Sequence, residues 1–516
     1  MRRFLLVLLS GALLLSCQKG RDKQVDFLLQ NGNLYDGSLT SPIKGDIAIS
    51  ADSIVWIGAS DQHDFQAKQI LDLTGMIVCP GFIDPHTHAV NDLLDSARNS
   101  NLPFLMQGVT TVMTGNDGGG PLDVAATMRT FDQQGIGTNA AVLVGHGTIR
   151  RAVMGLSADV PDSSQLSEMK KWVEKGMKAG ALGLSSGLYY SPGSFAKTEE
   201  VIELAKIAAA YGGYYDTHMR DESTYNIGLL NAVREAIQIG KEGGLPTHIA
   251  HIKALGVDVW DQSEQVIALI DSARQAGLEV TADQYPYRAS GTSLSACLVP
   301  RWVMQDSRKA FRNRLTNPKL LPRIKTEMAE NLRKRGGAAS LLITGSRDSS
   351  LLGKTLEDLA KERNTSAVDI AIDIVIKGRA SVASFNMKEE DLLNFMQQEW
   401  VMTGSDGSSG HPRKYGSFPQ KYQTYVKDSD VLRLEEFIHR STLLTAQSIG
   451  LSKRGSLTPG SKADIIAFDP EEFRSQADFS SPRVLASGLI FAFINGQLVV
   501  KNGTYTGELA GKVLTH

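Results

Sequence analysis

Short apolar runs recur along the middle of the chain, at 77–83, 109–114, 140–144, 181–184, 214–217, 247–252, 279–282 and 400–403. Most are separated by roughly thirty to forty residues, the length of one strand–helix unit. Between them lie stretches such as 199–211 and 224–241, with apolar residues at three- and four-residue intervals, the pattern of a helix with one buried face. Runs of this number and spacing predict an α/β protein, a (β/α)8 TIM-type barrel over residues 81–459. The last interval is too long for one unit. It holds a further strand candidate at 382–386 and a basic, helical stretch at 301–335, and it reads as an insertion around 295–380 near the barrel mouth. The two ends carry another pattern, short alternating strands and turns over 27–73 and from 460 onward, with Asn495-Gly496 as a strong hairpin turn. Residues 17–80 and 460–516 are therefore expected to build one small β-sandwich domain from both chain ends.

Residues 1–16 follow neither pattern. Met1-Arg2-Arg3 is a positive start, and the apolar run that follows is too short to span a bilayer, which fits a secretory signal. Leu14-Leu15-Ser16-Cys17 resembles the lipobox of bacterial lipoproteins. That resemblance implies cleavage before Cys17, lipidation of its thiol and a lipid anchor in the bacterial cell envelope. Gln18 in the next position points to the periplasmic face of the outer membrane. The other reading is a plain secretory signal in which Cys17 is incidental.

Composition narrows the chemistry. Hydrophobic residues make up 42% and charged residues 21% of the 516, which excludes wholesale disorder and a polytopic membrane protein. Lys plus Arg number 54 against 56 Asp plus Glu, so no basic excess points to nucleic acid. Cys17, Cys79 and Cys297 are the only cysteines, too few for a disulfide framework or a four-cysteine zinc site. A metal would be held by histidine and carboxylate. Active sites of this fold gather at the C-terminal ends of the strands, and the candidates lie there. His86 and His88 follow the first run and, at i and i+2 on extended backbone, face the same way. His218 follows the fifth run, His251 sits within the sixth, and Asp406 follows the eighth.

These residues carry a resemblance. Pro80-Gly81-Phe82-Ile83-Asp84-x-His86-Thr87-His88, with the later histidines and aspartate, resembles the amidohydrolase superfamily of metal-dependent hydrolases. Gly183-Leu184-Ser185-Ser186-Gly187, Thr217-His218-Met219-Arg220, Ala250-His251-Ile252-Lys253, Asp283-Gln284-Tyr285-Pro286-Tyr287 and His411-Pro412-Arg413 are similar to the N-acyl-D-amino-acid deacylases, or D-aminoacylases. The resemblance runs colinearly over about residues 25 to 510. Two positions depart from it. Some amidohydrolases bridge two metals with a carboxylated lysine on the fourth strand, where this chain has Ser185-Ser186. D-aminoacylases place a metal-binding cysteine after the second strand, where this chain reads Gly115-Asn116-Asp117-Gly118. Asp117 offers a harder, less zinc-selective ligand than thiolate, so another divalent metal is an open alternative. Cys79 precedes Pro80, away from the mouth, and reads as core.

The resemblance implies Zn2+ held tightly by Asp117, His218 and His251, with His86, His88 and Asp406 around a weaker or vacant second position. It implies cleavage of the amide bond of N-acyl-D-amino acids by metal-bound hydroxide, with Asp406 as the catalytic proton shuttle. Lys253, Tyr285 and Arg413 would clamp the carboxylate of this small-molecule substrate. Thr292 and Ser293 are weaker candidates for substrate contact, and His146 for the layer behind the ligands. His248 reads as structural. Alternatives are a dipeptidase or cyclic-amide hydrolase on the same scaffold, or a non-catalytic ligand-binding lipoprotein. Oligomeric state, acyl preference and side-chain preference are not legible.

Overall fold

The computed structural model describes residues 24–515, so the signal-like segment and Cys17 lie outside the described residues. Two parallel sheets form the centre. One joins Phe82–Asp84, Val109–Thr114 and Asn139–Val142; the other runs from Val144–Gly145 through Gly183–Gly187, Tyr214–His218, Thr247–Ile249 and Val280–Gln284 to Val401–Thr403. Leu182 N–H donates to the Val142 carbonyl at 3.0 Å on one side, and Asp406 N–H donates to the His86 carbonyl at 3.0 Å on the other, next to a parallel bridge between Thr87 and Gly407. The architecture is α/β and consistent with a TIM-type barrel. Strands of such a sheet are covered on both faces, which is why nearly every strand residue is buried rather than every second one.

Intervening helices lay their apolar stripe on the strands. Leu229–Gly243, for instance, buries Leu229, Ala232, Val233, Ala236 and Ile239, and ends on Gly244 in the left-handed conformation that a helix C-terminus favours. The first apolar run is divided between two sheets at Gly81. Ile77–Pro80 pairs outward, while Phe82–Asp84 pairs with Val109–Thr114. A Cβ at residue 81 would collide with Thr110, so the crossing needs glycine.

Both chain ends do meet, in one nine-stranded sheet that folds over on itself, so that Phe27 of the first half and Phe493 of the second stand with ring centroids 5.0 Å apart. Ile77–Pro80 joins the halves, pairing with Gln24–Leu34 in parallel and with Ile465–Phe468 antiparallel. Ile465 and Ala467 face the cluster of Leu29, Ile47 and Ile49, whereas Ile466 and Phe468 face the central core with Phe82 and Phe437. Asn495 and Gly496 both have positive φ, 49° and 76°, as a two-residue hairpin turn between Leu489–Ile494 and Gln497–Lys501 requires.

The long interval before the last parallel strand holds a separate body. Ala289–Ser293, Ala380–Phe385 and Leu341–Ser346 form an antiparallel sheet, and the helices Arg308–Thr316, Leu321–Lys334 and Ala367–Lys377 pack on it around Ile324, Met328, Ile343 and Ile370. The candidate strand at 382–386 belongs here and not to the parallel sheets. Cys79 is fully buried in core, as its position before Pro80 suggested. Among the described residues, no helix is long and apolar enough to cross a membrane.

Candidate metal centre

Each ligand candidate leaves the end of a parallel strand. After Phe82–Asp84 the chain stays extended, so Thr87 turns into the core and donates to the Met113 carbonyl at 2.6 Å while His86 and His88 turn to the mouth. Asp84, fully buried, accepts from the backbone N–H groups of His86 (3.2 Å) and Ser405 (3.1 Å), tying the first strand end to the loop that carries Asp406. Burial pushes the Asp84 carboxyl up to about 8, against those donors. Asp117 rides on the loop after Val109–Thr114. Ser185 holds that loop, its hydroxyl donating to the Gly115 carbonyl at 2.5 Å and accepting from Gly118 N–H at 3.1 Å. Asp117, His251 and Asp406 have φ of 58°, 38° and 47°, a left-handed backbone that non-glycine residues rarely adopt and that clusters at functional sites.

The donors converge in two groups that share Asp117: His86, His88, Asp117 and Asp406, and Asp117, His218 and His251. Asp117 Oδ1 lies 3.4 Å from His86 Nε2, 3.4 Å from His251 Nε2 and 3.6 Å from His218 Nδ1, and its Oδ2 lies 3.5 Å from His88 Nε2. These are poor hydrogen-bond lengths. Two ligands bound at about 2.0–2.1 Å to a tetrahedral zinc ion stand about 3.3–3.4 Å apart; the distances from Asp117 are near that spacing, while His218 Nδ1 and His251 Nε2 stand closer, at 2.8 Å. His86 Nε2 and Asp117 Oδ1 are also buried with no hydrogen-bond partner, a costly arrangement that a cation between them relieves. Nitrogen and carboxylate donors suit zinc and neighbouring divalent metals alike.

Around the donors stand charges the sequence reading did not single out. Glu222, buried, lies 3.2 Å from His251 Nδ1 and pairs with Lys253 at 2.5 Å. Burial disfavours its charge, but Lys253, His218 and His251 outweigh that and hold it well below the usual carboxylate range. Asp283, also buried, bonds His248 Nε2 at 2.9 Å and stands 3.8 Å from His86 Nδ1. A carboxylate behind a ligating imidazole orients the ring and makes it a better donor. His248 is structural in just this sense. Of the clamp candidates, Lys253 is occupied by Glu222, and Arg413 Nη1 pairs with Asp406 Oδ2 at 2.8 Å. The Tyr285 hydroxyl is buried without a partner beside Arg413, whose guanidinium carbon is 4.8 Å from the tyrosine ring. Asp406 also meets His88 at 3.0 Å; burial pushes its carboxyl up, but Arg413 and the histidines prevail and hold it far below the usual range.

One weaker candidate falls elsewhere. His146 bonds Glu200 at 2.8 Å, and Glu200 also takes Arg150, so it serves a buried ion cluster and touches none of the ligands. Ser293 caps the short helix Leu294–Leu298, and both Thr292 and Ser293 line the cavity. Glu222 lies two residues beyond the quoted motif Thr217–Arg220, and Asp283 opens the quoted motif Asp283–Tyr287 without having been given a role. Membership of or proximity to those motifs was their only available signal.

A cavity of about 630 Å³ opens over the donors, lined by His88, Asp117, Tyr190, Thr292, Asp406 and Arg413 among others. It accommodates a small acylated amino acid. Comparison with known proteins agrees with the geometry. The model of the amidohydrolase family matches residues 77–509. A D-aminoacylase from Alcaligenes xylosoxydans xylosoxydans is 33% identical over 95% of this chain and 97% of its own. The structure of a D-aminoacylase whose binuclear metal centre shows one-metal activation and second-metal attenuation superposes with TM-score 0.82, at 30% identity, over 95% of this chain and 100% of that one. The structure of an N-acyl-D-glutamate deacylase from Bordetella bronchiseptica, with zinc and a phosphonate mimic of the tetrahedral intermediate, superposes with TM-score 0.81, at 29% identity, over 96% and 100%.

Proposed function

The chain belongs to the amidohydrolase family, in its D-aminoacylase group, and from that premise we propose that it is a metal-dependent hydrolase that cleaves the linear amide of N-acyl-D-amino acids to a D-amino acid and a carboxylate. The observation that carries this reading is the placement of Asp117 between the two donor groups, 3.4 Å from ligating nitrogens on either side.

His86, His88, Asp117, His218, His251 and Asp406 would hold the ion, zinc being the metal we propose, with one tight position at Asp117, His218 and His251 and a weaker second one. When bound, a divalent ion makes water acidic and polarises the amide carbonyl. The remaining work falls to the chain. Asp406, ionised by Arg413 and His88, accepts a proton from the attacking water and returns it to the leaving nitrogen. Arg413 and Tyr285, with Lys253 behind them, receive the α-carboxylate. A substrate carboxylate that draws Arg413 away from Asp406 leaves that carboxylate a stronger base, so binding and proton transfer are linked. Glu222 and Asp283 keep His251 and His86 oriented toward the donor cluster.

The same reading makes the two parallel sheets one (β/α)8 TIM-type barrel and the nine-stranded sheet its accessory β-domain. It also places the mature protein on a lipid anchor at Cys17, on the periplasmic face of the outer membrane; this part rests on the sequence alone. Cys17→Ser is expected to move the protein from the membrane to the soluble fraction. The decisive experiment is metal analysis of the purified soluble form followed by a screen of N-acetyl amino acids of both configurations. Release of D-amino acids supports the reading, and release of L-amino acids alone overturns it.

A further inference from the structure

Arg335 ends the helix Leu321–Lys334 and is only 1% exposed. Its guanidinium donates to the Tyr189 hydroxyl at 3.0 Å and to Ser384 Oγ at 3.3 Å, and it lies over the Tyr225 ring, 5.5 Å from its centre. These contacts fix its position, but none neutralises it. Nε has no acceptor, and among the described residues no carboxylate is within ion-pair distance. Four other buried cations near the mouth are matched, Arg413 with Asp406, Lys253 with Glu222, Arg220 with Glu235 and Arg150 with Glu200, while Lys421, also buried without a partner, lines neither the main cavity nor the recess at Arg335. A buried, unmatched charge is costly to keep, and its retention calls for an anion that arrives from outside.

The place where that anion would sit is defined. Arg335 and Tyr225 line one end of a recess of about 20 Å³ whose walls include Lys253 and Tyr285 and, on the side of the metal centre, His218, His251, Glu222 and Asp406. At roughly 10–15 Å³ per water-sized sphere, the recess admits one or two small polar atoms and no aryl or branched side chain. The Tyr225 hydroxyl is a second buried donor without a partner. Tyr190, Gly291, Thr292 and Asp406 line both the recess and the main cavity, so a group reaches Arg335 from the reaction centre without leaving the substrate's path.

We propose that Arg335 and Tyr225 form a subsite for a carboxylate on the substrate's side chain, which makes N-acyl derivatives of acidic D-amino acids the favoured substrate class. This rests on the deacylase reading above, with the α-carboxylate held at Arg413 and Tyr285. The subsite sets preference and takes no part in the proton transfers.

The test compares N-acetyl-D-glutamate with N-acetyl-D-glutamine, and the aspartate pair likewise, which differ in side-chain charge at nearly constant shape. For the metal-loaded protein, kcat/KM is expected to favour the acid of the better pair by about 10-fold or more, the range of a charge-assisted pair. Arg335→Gln is expected to remove about 10- to 100-fold on the acid, mainly through KM, and less than about 3-fold on the amide. Tyr225→Phe serves as a milder second variant, with a several-fold loss confined to the acid. Equal rates on both members of each pair overturn the proposal. So does an equal loss on acid and amide in Arg335→Gln, which assigns the residue to the α-carboxylate or to packing. If no N-acyl-D-amino acid is turned over, the deacylase reading fails by itself. Calorimetric binding of N-acetyl-D-glutamate and N-acetyl-D-glutamine to the wild-type protein then decides the subsite, and equal affinities overturn it.

Discussion

At the scale of single residues, the centre is organised by two aspartates with different tasks. Asp406 is gripped by Arg413 and His88 at 2.8 and 3.0 Å, which fixes its charge, and the role proposed for it is to move a proton. Asp406→Asn keeps the shape and an oxygen near the second group of donors. It is expected to lower kcat by about 10²–10⁴ while bound metal, measured by elemental analysis, stays near one per chain. Substantial activity in that variant refutes the proton-shuttle role. Asp117 stands where the D-aminoacylase pattern places a thiolate, and it touches both donor groups. Asp117→Ala therefore removes a ligand from each and is expected to cut metal occupancy sharply, whereas Asp117→Cys should slow zinc loss to a chelator because the softer ligand prefers zinc. Both side chains must tolerate φ of 58°, a constraint identical in the two variants, so their difference isolates the ligand atom. Unchanged metal content in Asp117→Ala removes this residue from the ligand set.

At the scale of elements, the ligands are placed by neighbours that bind no metal. Ser185 occupies the fourth-strand position where related hydrolases carry a bridging lysine, and here its hydroxyl grips the Asp117 loop from both ends. Ser185→Ala leaves Gly118 N–H and the Gly115 carbonyl buried without that partner. A loss of about 10- to 100-fold in metal affinity, as for other outer supports of ligands, is expected, with little change in the far-ultraviolet circular dichroism. Equal affinity means the loop holds itself. This support explains what the sequence did and did not disclose. The parallel strands were legible because each is a short apolar run at regular spacing, and the ligands because they follow those runs. Ser185 was visible only as an absent lysine, since its contacts lie 67 and 70 residues away. Glu222 and Asp283 were missed for the same reason: a polar residue after a strand reads as loop until the fold sets it behind an imidazole. The continuous nine-stranded sheet was hidden at Gly81, where a single apolar run serves two sheets. His146 reads as part of the site by its place at a strand end, and only tertiary structure hands it to Glu200.

At the scale of the whole molecule, the donor cluster gathers distant parts of the chain. His86 and Asp406 come from the first and last parallel strands, 320 positions apart by their numbers, and the two segments also exchange the Asp406 N–H to His86 carbonyl bond and the Thr87–Gly407 bridge. Asp117, His218 and His251 add three more strand ends. A cation held by all of them exists only in the folded chain, so binding must stabilise the fold by mass action, about 2.7 kcal/mol at a free metal concentration one hundred times Kd. Unfolding entropy scales with length, about 2.1 cal/mol/K per residue. For a chain of this size that stabilisation amounts to an increase of about 2–3 °C in Tm, provided the parallel sheets and the nine-stranded sheet unfold together. Their shared core around Phe82, Ile466 and Phe468 supports a joint transition. Chelation should thus lower Tm by that amount, restore it on adding zinc, and have no effect in a variant lacking both His218 and His251. A chelator effect of equal size in that double variant places the stabilising ion somewhere other than the cluster around Asp117.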